Sequence, residues 1–358
     1  MDNKQYQEIH EDLEDIIGAL EGKTLLITGA SGFLGVWFAG FLNFLNEHKV
    51  TDKIRIICVD NNISGDSQKL NHFKTVEVYE MDIIDGFLKE LPFEGSIDYI
   101  INAAGIASPR VYQRYPVETM DVSYIGTKNI LNFALENQVE SVLCFSSSEV
   151  YGTPDELHIP TTEDYLGSVP TMSNRSCYDI GKKIIETVSY VYFKKHNIPV
   201  KVVRPFNVYG PNMYENDHRV LSNSIARILK DEPITIYGDG EQSRTFCYIT
   251  DAIKGFMRVL LKGRSGEVYN IGNSNPETSM IDFASILYEV ANKSNISKLI
   301  PYPSYYPDDE PRRRCPDISK ATEELGYTPT VELEVGFKRM YEWAKDNYFM
   351  EEQNDTTV

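Results

Sequence analysis

The stretch TLLITGASGFLG (24–35) decides how the chain folds, because it joins an apolar strand to a helix through a glycine-rich turn. The turn and the start of the helix contain these residues: Gly29, Gly32, Phe33, Leu34 and Gly35. Glycines spaced in this way let a phosphate group approach the backbone N–H groups at the start of a helix. The stretch therefore predicts a phosphate-binding turn at the edge of a parallel sheet.

The second predicted strand, KIRIICVD (53–60), ends in an acidic residue, Asp60. A carboxylate at this position can accept hydrogen bonds from the ribose hydroxyls of an adenosine. No arginine or lysine follows in DNNISGD (60–66), so the sequence favours NAD over NADP, whose 2′-phosphate would be repelled. Asp82, which ends the third strand, is placed to meet the adenine amine. The predicted cofactor site also includes three neighbouring strand-end residues: Asn61, Ile83 and Ala104.

Strand-like and helical segments alternate along the first part of the chain. The strand-like runs are TLLITGA (24–30), KIRIICVD (53–60), TVEVYEMDI (75–83), IDYIINAAG (97–105), SVLCFSSSEVYG (141–152) and VKVVRPFNVYG (200–210). Amphipathic stretches such as FLGVWFAGFLNFLNEH (33–48) and GTKNILNFALENQ (126–138) lie between them. Apolar strands that alternate with helices predict an α/β fold with a Rossmann-like, doubly wound parallel sheet.

The sequence predicts four parts along the chain. Residues 1–21 are an N-terminal helical extension, and 22–206 are an NAD-binding Rossmann domain. From 207 to 346, frequent Pro, Gly, Tyr and Arg and shorter strands predict a smaller C-terminal α/β lobe that binds the substrate. A later strand and helix near 246–273 return to the first domain. The tail, 347–358, is predicted to be disordered.

Composition limits the possible functions. The chain of 358 residues carries a net charge of −18, which argues against binding to nucleic acid or to an anionic membrane. Its five scattered cysteines contain no Cys-x-x-Cys, and its six histidines contain no close pair of ligand type. No apolar run approaches the ~20 residues of a membrane span. These features predict a cytoplasmic protein without a metal ion.

The segment RSCYDIGKKIIE (175–186) places Tyr178 and Lys182 four residues apart, on one face of a predicted helix. An ammonium group beside a phenol stabilises the phenolate, so such a pair can transfer protons. Three other pairs share the spacing: Tyr124/Lys128, Tyr190/Lys194 and Tyr341/Lys345. The spacing alone therefore does not separate a catalytic pair from two ordinary helix residues.

The chain resembles the extended short-chain dehydrogenase/reductase family, which contains NAD-dependent epimerases and dehydratases. The spaced glycines, NAAG (102–105), SSSEVYG (146–152) and YDIGK (178–182) occur in the order and spacing of that family. Six segments resemble its UDP-glucuronate decarboxylase (UDP-xylose synthase) branch: ASPRVY (107–112), RSCYDIGK (175–182), VVRPFNVYGPNM (202–213), GDGEQSRTFCYITD (238–251), YNIGN (269–273) and DDEPRRRCPDISKATEELGYTP (308–329). The resemblance runs from about residue 22 to residue 345.

The resemblance implies roles for individual residues. In the family the matching Tyr accepts a proton and the matching Lys binds the nicotinamide ribose, so Tyr178 and Lys182 are the predicted catalytic pair. Arg244 and Arg314 match positions that, in the decarboxylases, contact the diphosphate and the sugar carboxylate region or act as a general acid. The predicted substrate-binding residues are Tyr112, Ser148, Asn207, Arg244 and Arg314.

The residues after the fifth strand bear on the reaction. A serine there can bond the C4 oxygen of a sugar, and we interpret Ser146 as part of the turn and Ser148 as catalytic. Glu149 is also predicted to be catalytic, because a carboxylate in a cofactor cleft costs desolvation unless it has a partner or a role. A plain 4-epimerase needs no acid at this position. Decarboxylases and some sugar-nucleotide dehydratases both carry Ser-Glu, so a 4,6-dehydratase or a 4-epimerase stays open as the alternative to decarboxylation of UDP-glucuronate to UDP-xylose.

Three positions depart from the family pattern. Ile180 replaces a Glu, and Ser123 replaces an Asn that bridges strands. Arg110 replaces a neutral residue. Because of the changes at Ile180 and Arg110, a substrate with a different nucleotide base or a differently substituted sugar stays open.

Two hypotheses outside enzyme chemistry stay open. One is a non-catalytic NAD-binding regulator, which the intact Tyr178, Lys182, Ser148 and Glu149 argue against. The other is a structural partner in an assembly, for which the N-terminal helix is the only support. Relatives pair as homodimers through helices beside the catalytic Tyr, and the resemblance implies the same here.

Overall fold

The structure, a computed structural model, describes residues 3–50, 53–85, 91, 95–215, 217, 219–302 and 311–349. Its strands are β1 (Thr24–Thr28), β2 (Arg55–Asp60), β3 (Val76–Glu80), β4 (Tyr99–Asn102), β5 (Ser141–Phe145), β6 (Val200–Pro205), β7 (Val208–Tyr209), β8 (Thr235–Tyr237), β9 (Ser243–Arg244), β10 (Cys247–Tyr248), β11 (Val268–Ile271), β12 (Thr278–Ser279), β13 (Lys298–Ile300) and β14 (Arg313–Arg314). Its α-helices are α1 (Asn3–Leu13), α2 (Phe33–Glu47), α3 (Pro109–Arg114), α4 (Pro116–Asp121), α5 (Thr127–Asn137), α6 (Ser176–His196), α7 (Val220–Leu229), α8 (Ile249–Lys262), α9 (Met280–Val290), α10 (Ser319–Leu325) and α11 (Leu333–Asn347).

The central sheet of the described residues has seven strands in the order β11-β6-β5-β4-β1-β2-β3. Every neighbouring pair in it runs parallel. Because the order reverses between β1 and β4, a crevice opens there at the carboxyl ends of the strands, where open α/β sheets bind ligands. The predicted Rossmann-like fold is confirmed, and the six predicted strands all form. Five of them end earlier than the sequence pattern suggested, whereas β2 ends at Asp60 as predicted.

Alternate residues of the sheet enter two separate cores, one on each face. Leu25 and Ile27 of β1 belong to one core with α2 and α8, whereas Leu26 belongs to the other with α5 and α6. All three side chains are fully buried. This two-sided burial explains why the strands read as continuous apolar runs rather than as an alternation of apolar and polar residues.

The N-terminal helix α1 packs onto the same body as the sheet. Its apolar face is formed by Tyr6, Ile9 and Leu13, which are buried in the core that contains α2 and α8. Arg258 of α8 donates from Nη2 to the backbone carbonyl of Asp12 at 2.6 Å. Since the apolar face of α1 is used within the chain, the helix gives no support to the reading of the protein as a structural partner in an assembly.

The second lobe contributes short strands that end near the crevice. In the described residues β9 pairs with β12 and with β14, and the parallel register sets Arg314 directly opposite Arg244. Because adjacent parallel strands lie about 4.8 Å apart, the pairing brings two arginines that are 70 positions apart in sequence to one place. Residues 308–310 of the motif that precedes Arg314 lie outside the described residues.

The C-terminal end differs from the prediction of a disordered tail from 347. Helix α11 continues through Asn347, and Tyr348 is buried, with its hydroxyl donating to the Met213 carbonyl at 2.8 Å. Residues 350–358 lie outside the described residues. Within the described part of the chain, no helix combines the length and apolar character that crossing a bilayer requires.

Replacing Ile9 by alanine should destabilise the whole domain, because the side chain is 0% exposed. We expect a loss of about 2–5 kcal/mol in the free energy of unfolding, the usual range for such a truncation. Glu11→Ala, on the exposed face of the same helix, is the control and should change it by less than about 0.5 kcal/mol. Urea denaturation measures both variants, and equal effects would contradict the packing of α1 described above.

Candidate active site

A cavity of about 1860 Å³ lies over the carboxyl ends of the central strands, between the sheet domain and the second lobe. It exceeds the roughly 300–1,000 Å³ that one small ligand occupies, so it has room for a cofactor together with a substrate. All the site residues predicted from the sequence line it: Gly29, Gly32, Phe33, Leu34, Gly35, Asp60, Asn61, Asp82, Ile83, Ala104, Tyr112, Ser148, Glu149, Tyr178, Lys182, Asn207, Arg244 and Arg314.

The glycine turn between β1 and α2 fits a dinucleotide. A Cβ atom on Gly29, whose φ is +65°, would lie 2.6 Å from the Ala104 backbone, and one on Gly35 would lie 2.2 Å from the Gly29 carbonyl oxygen. The backbone therefore needs glycine at both positions. Beside them, the hydroxyl oxygen of Ser31 is buried and has no hydrogen-bond partner among the described residues. A pyrophosphate at the start of α2 would satisfy that hydroxyl and the free N–H groups of the first turn.

The acidic residue after β2 is fixed by the turn. Asp60 accepts hydrogen bonds from the backbone N–H groups of Ser31 at 2.9 Å and of Asn62 at 2.8 Å. Each carboxylate oxygen keeps a second lone pair, which leaves acceptors for ribose hydroxyls. Asp82 accepts from the Asn61 side chain at 2.7 Å and from the Ile84 N–H at 2.8 Å, so the ends of β2 and β3 form one polar wall.

Tyr178 and Lys182 lie on the first two turns of α6 and face the cavity. Lys182 is buried, its Nζ donates to the Phe145 carbonyl at 2.8 Å, and burial lowers its pKa to about 8. Its Nζ is 5.5 Å from the centre of the Tyr178 ring, and the ring of Tyr112 stacks on Tyr178 at 5.3 Å. The pair at Tyr190 shows a similar 5.4 Å separation on the protein surface, so position in the cavity distinguishes Tyr178, not spacing.

Ser147 was not predicted as a site residue, but it is close enough to Tyr178 to affect its pKa. Burial raises the pKa of Tyr178, and hydrogen bonding with the Ser147 side chain lowers it. Ser147 also caps the 3-10 turn that follows, accepting from the Glu149 N–H at 3.2 Å. Ser146, Ser147 and Ser148 all line the cavity, and Ser146 donates to Glu186 at 2.5 Å, which is consistent with its interpretation as a structural residue. The alternation of side chains beyond the strand could have suggested that Ser147 and Ser146 point in different directions.

Glu149 lies between two arginines. Arg314 donates from both terminal nitrogens, to Oε1 at 2.5 Å and to Oε2 at 3.0 Å, in a forked pair. Arg175, which the sequence analysis did not name, donates to Oε2 as well. All three side chains are between 11% and 17% exposed, so the charges are only partly screened by water. Glu149 and Arg314, which were each predicted as site residues, are therefore in direct contact, 165 residues apart in sequence.

The remaining predicted substrate residues surround this cluster. Arg244 is buried and donates from Nη1 to the Ser243 carbonyl at 2.8 Å. Asn207 donates to the Thr245 carbonyl at 2.8 Å from a backbone with φ of 43°. Tyr112 is buried, and that burial raises its pKa.

The neighbouring arginines behave differently. Arg312 pairs with Asp239 at 2.8 Å and Arg313 with Glu277 at 2.7 Å, and the Arg312 side chain is 68% exposed. Arg312 therefore belongs to an exposed ion pair, which contributes little to stability. Arg313 instead forms a partly buried forked pair with Glu277.

The three departures from the family pattern have structural settings. Ser123 donates to the Thr119 carbonyl at 2.7 Å within its own helical segment, and among the described residues it makes no bridge to a strand. A Cβ on Gly181 of α6 would lie 2.7 Å from its hydroxyl, so α6 packs closely over this short side chain. Arg110 is exposed and lines the cavity, and Ile180 is partly exposed on α6.

Comparison with known proteins identifies the family. Residues 25–272 match the sequence model of the NAD dependent epimerase/dehydratase family. The chain belongs to this family. NAD is therefore the cofactor, and both predictions, of the family and of NAD, are confirmed. Among the residues that the structure describes, no three His, Cys, Asp or Glu side chains cluster as a metal site would require.

The sequences of two curated relatives match most of this chain. UDP-glucuronic acid decarboxylase 6 of Arabidopsis thaliana is 36% identical over 321 residues, which cover 89% of this chain and 88% of the relative. UDP-glucuronic acid decarboxylase 1 of Xenopus tropicalis is 36% identical over 321 residues, covering 88% of this chain and 71% of the relative.

Solved structures of epimerases share the fold. UDP-glucuronic acid 4-epimerase of Bacillus cereus, in complex with UDP-glucuronic acid and NAD, superposes with a TM-score of 0.75 at 28% identity, covering 91% of this chain and all of that one. UDP-glucose 4-epimerase of Thermotoga maritima, with UDP-glucose, gives 0.78 at 27% identity, covering 90% of this chain and 99% of that one.

Gly29→Ala should weaken NAD binding at least about tenfold, or ~1.4 kcal/mol. The added methyl would lie 2.6 Å from the Ala104 backbone and occupy a left-handed conformation. Gly18→Ala is the matched control, because a Cβ there meets nothing within 4 Å. Titration calorimetry measures both affinities, and an unchanged affinity in Gly29→Ala would show that NAD binds elsewhere.

Proposed function

We propose that the protein decarboxylates UDP-glucuronate through a 4-keto intermediate and produces UDP-xylose. The observation that carries the proposal is the cluster of Glu149, Arg314 and Arg175 in the same cavity as Tyr178. A sugar carboxylate entering this cavity meets guanidinium groups in a chain that is otherwise strongly acidic. Relatives named as UDP-glucuronic acid decarboxylases support the choice of substrate.

The reaction starts at the C4 hydroxyl of the sugar. Bound NAD supplies the oxidation of C4 and its later reduction, because it accepts a hydride and then returns it. Once C4 is a ketone, the C5 carboxylate is β to it. The bond from C5 to the carboxyl carbon can then break, CO₂ leaves, and the electron pair enters an enolate on the C4 oxygen. Protonation of C5 restores the ketone.

Tyr178 is the proposed acceptor of the C4 hydroxyl proton. Its hydrogen bond with Ser147 favours the phenolate, opposing the burial that raises the pKa of Tyr178. Lys182, which Phe145 holds in place through its carbonyl, has the proposed role of binding the nicotinamide ribose. Ser148 and Tyr178 are the proposed donors to the enolate oxygen, where preorganised hydrogen bonds have their largest effect on the rate.

The arginines are assigned to the anionic groups of the substrate. Arg244 has the proposed role of binding the diphosphate, and Arg314 that of binding the C5 carboxylate. The two arginines lie opposite each other in β9 and β14, so they can contact neighbouring anionic groups of one substrate. Forked guanidinium groups suit both partners. Glu149 then has the proposed role of guiding the proton to C5. Tyr112 and Asn207 are the proposed contacts to the sugar.

Incubation of the NAD-loaded protein with UDP-glucuronate tests the proposal. We expect CO₂ in the headspace and a product lighter by the mass of CO₂, with UDP-xylose as the main species. A UDP-4-keto-pentose with stoichiometric NADH would mean that the reduced cofactor leaves before the last step. Loss of water from a neutral hexose, or inversion at C4 without CO₂, would replace the proposal by the dehydratase or the epimerase. No turnover of any nucleotide sugar would favour a non-catalytic NAD-binding regulator.

Ser147→Ala should move the rising limb of the pH profile for C4 oxidation to higher pH. The lost hydrogen bond lowers the pKa of Tyr178, so its removal raises that pKa, and less phenolate is present at a given pH. We expect the rate of C4 oxidation at neutral pH to fall about ten- to a hundredfold, because a hydrogen bond to a charged group contributes ~1.5–3 kcal/mol.

Ser148→Ala is the control for this shift. Its hydroxyl has the proposed role of donating to the enolate oxygen later in the reaction. The rising limb of the pH profile for C4 oxidation should therefore stay at the same pH. Stopped-flow absorbance of NADH at several pH values measures both variants. A shift in Ser148→Ala with none in Ser147→Ala would reverse the two assignments.

We also propose a homodimer formed through α4 and α6. Five large apolar residues on these helices and the segment between α4 and α5 are between 42% and 65% exposed: Val117, Met120, Tyr124, Tyr190 and Val191. Helix α4 packs against α6, so these residues belong to neighbouring elements. Sedimentation analysis of the wild type and of Tyr190→Arg tests the dimer, and a wild type that stays monomeric would refute it.

A reducing compartment, the cytoplasm, is the proposed location. The five cysteines are unpaired in the structure, and Cys58, Cys144 and Cys247 are fully buried. Burial raises the pKa of these three thiols, which keeps them unreactive. Microscopy of a fluorescent fusion in the source cell would test this location, and signal from an oxidising compartment would refute it.

A further inference from the structure

Arg175 contacts the catalytic cluster, although the chemistry proposed above gives it no task. It directly precedes α6, three residues before Tyr178, and it lines the cavity. Its Nη2 donates to Oε2 of Glu149, and its Nε lies 3.7 Å from Oδ2 of Asp179. The structure thus contains a row of alternating charges, in the order Asp179, Arg175, Glu149 and Arg314.

The two arginines that share Glu149 are supported differently. Arg175 adjoins the long helix that carries Tyr178 and Lys182, and the buried carboxylate of Asp179, one turn further along, lies behind it. This spacing holds the guanidinium on the helix face. Arg314 is part of the two-residue strand β14 in the second lobe and forms its ion pair across the cavity. Arg175 is therefore anchored on the sheet domain, whereas Arg314 extends from the lobe that binds the substrate.

When a substrate with a carboxylate binds, that carboxylate and Glu149 compete for Arg314. Arg314 engages both oxygens of Glu149 with its two terminal nitrogens, at 2.5 and 3.0 Å. To bind a sugar carboxylate through the same fork, it must release at least one of them. A poorly hydrated carboxylate that loses its only cation is strongly destabilised. Arg175 removes this obstacle, because it already donates to Oε2 from the other side.

We propose that Arg175 is a positioning residue that holds Glu149 while Arg314 turns to the carboxylate of the substrate. The inference rests on the proposed function, since it requires a substrate that carries a carboxylate. Without Arg175, Glu149 and the substrate compete for one guanidinium group. Arg175 then affects the affinity for acidic sugars selectively, through its contact with Glu149.

Calorimetric binding of two ligands tests the proposal. All proteins carry NAD and the Tyr178→Phe substitution, which blocks turnover, and the ligands are UDP-glucuronate and UDP-glucose, which differ in the carboxylate. Adding Arg175→Gln should weaken the binding of UDP-glucuronate at least about tenfold and leave the affinity for UDP-glucose within about twofold of the background. Adding Arg312→Gln, an exposed arginine outside the cluster, should change neither. Equal weakening of both ligands by Arg175→Gln would mean a merely structural role and would overturn the proposal.

A double variant separates competition from other causes. Adding Glu149→Gln to Arg175→Gln removes the competitor for Arg314, so the affinity for UDP-glucuronate should return to within about threefold of the background. Arg175→Lys keeps the positive charge, so its affinity for UDP-glucuronate should stay within about threefold of the background. This variant still tests the proposal if Arg175→Gln folds poorly. Failure of the double variant to restore binding would refute the proposal. If the background binds UDP-glucuronate no better than UDP-glucose, the proposed function fails instead.

Discussion

The contact on which the site depends is the ion pair between Glu149 and Arg314, with Arg175 as its third member. Glu149 follows the fifth strand of the sheet, whereas Arg314 comes from the second lobe, so one carboxylate joins the two halves of the cavity. A partly buried carboxylate is costly to desolvate, and two guanidinium groups offset that cost. The same groups then face the place where an acidic sugar would lie.

The sheet supplies the geometry around this contact. Parallel strands end at one edge, and the chain places there the glycine turn, Asp60 and the serines after β5. Helix α6 adds Tyr178 and Lys182 to the same cavity. The second lobe adds Arg244 and Arg314 as partners in one short parallel pair. The glycine turn, the serines and the two arginines therefore come from different elements that meet in a single cavity.

Local patterns in the sequence predicted the sheet, the cofactor turn and Asp60, because each depends on residues within one strand–helix unit. Arg175 escaped prediction, because its partner Glu149 is 26 residues away and no local pattern marks the contact. Ser147 was missed for another reason: which of three consecutive serines faces Tyr178 depends on side-chain direction after the strand. The surface pair at Tyr190 and Lys194 shows that helical spacing without burial says little.

In the proposed reaction, Glu149 acts after the oxidation of C4, when C5 takes up a proton. A single-turnover experiment with NAD-loaded Glu149→Gln and UDP-glucuronate measures C4 oxidation and UDP-xylose formation in one sample. NADH absorbance should rise to nearly the wild-type amplitude, while UDP-xylose formation slows at least about a hundredfold, the lower end for loss of an acid–base group. Equal loss of both signals, or UDP-xylose formation at the wild-type rate, would contradict this role of Glu149.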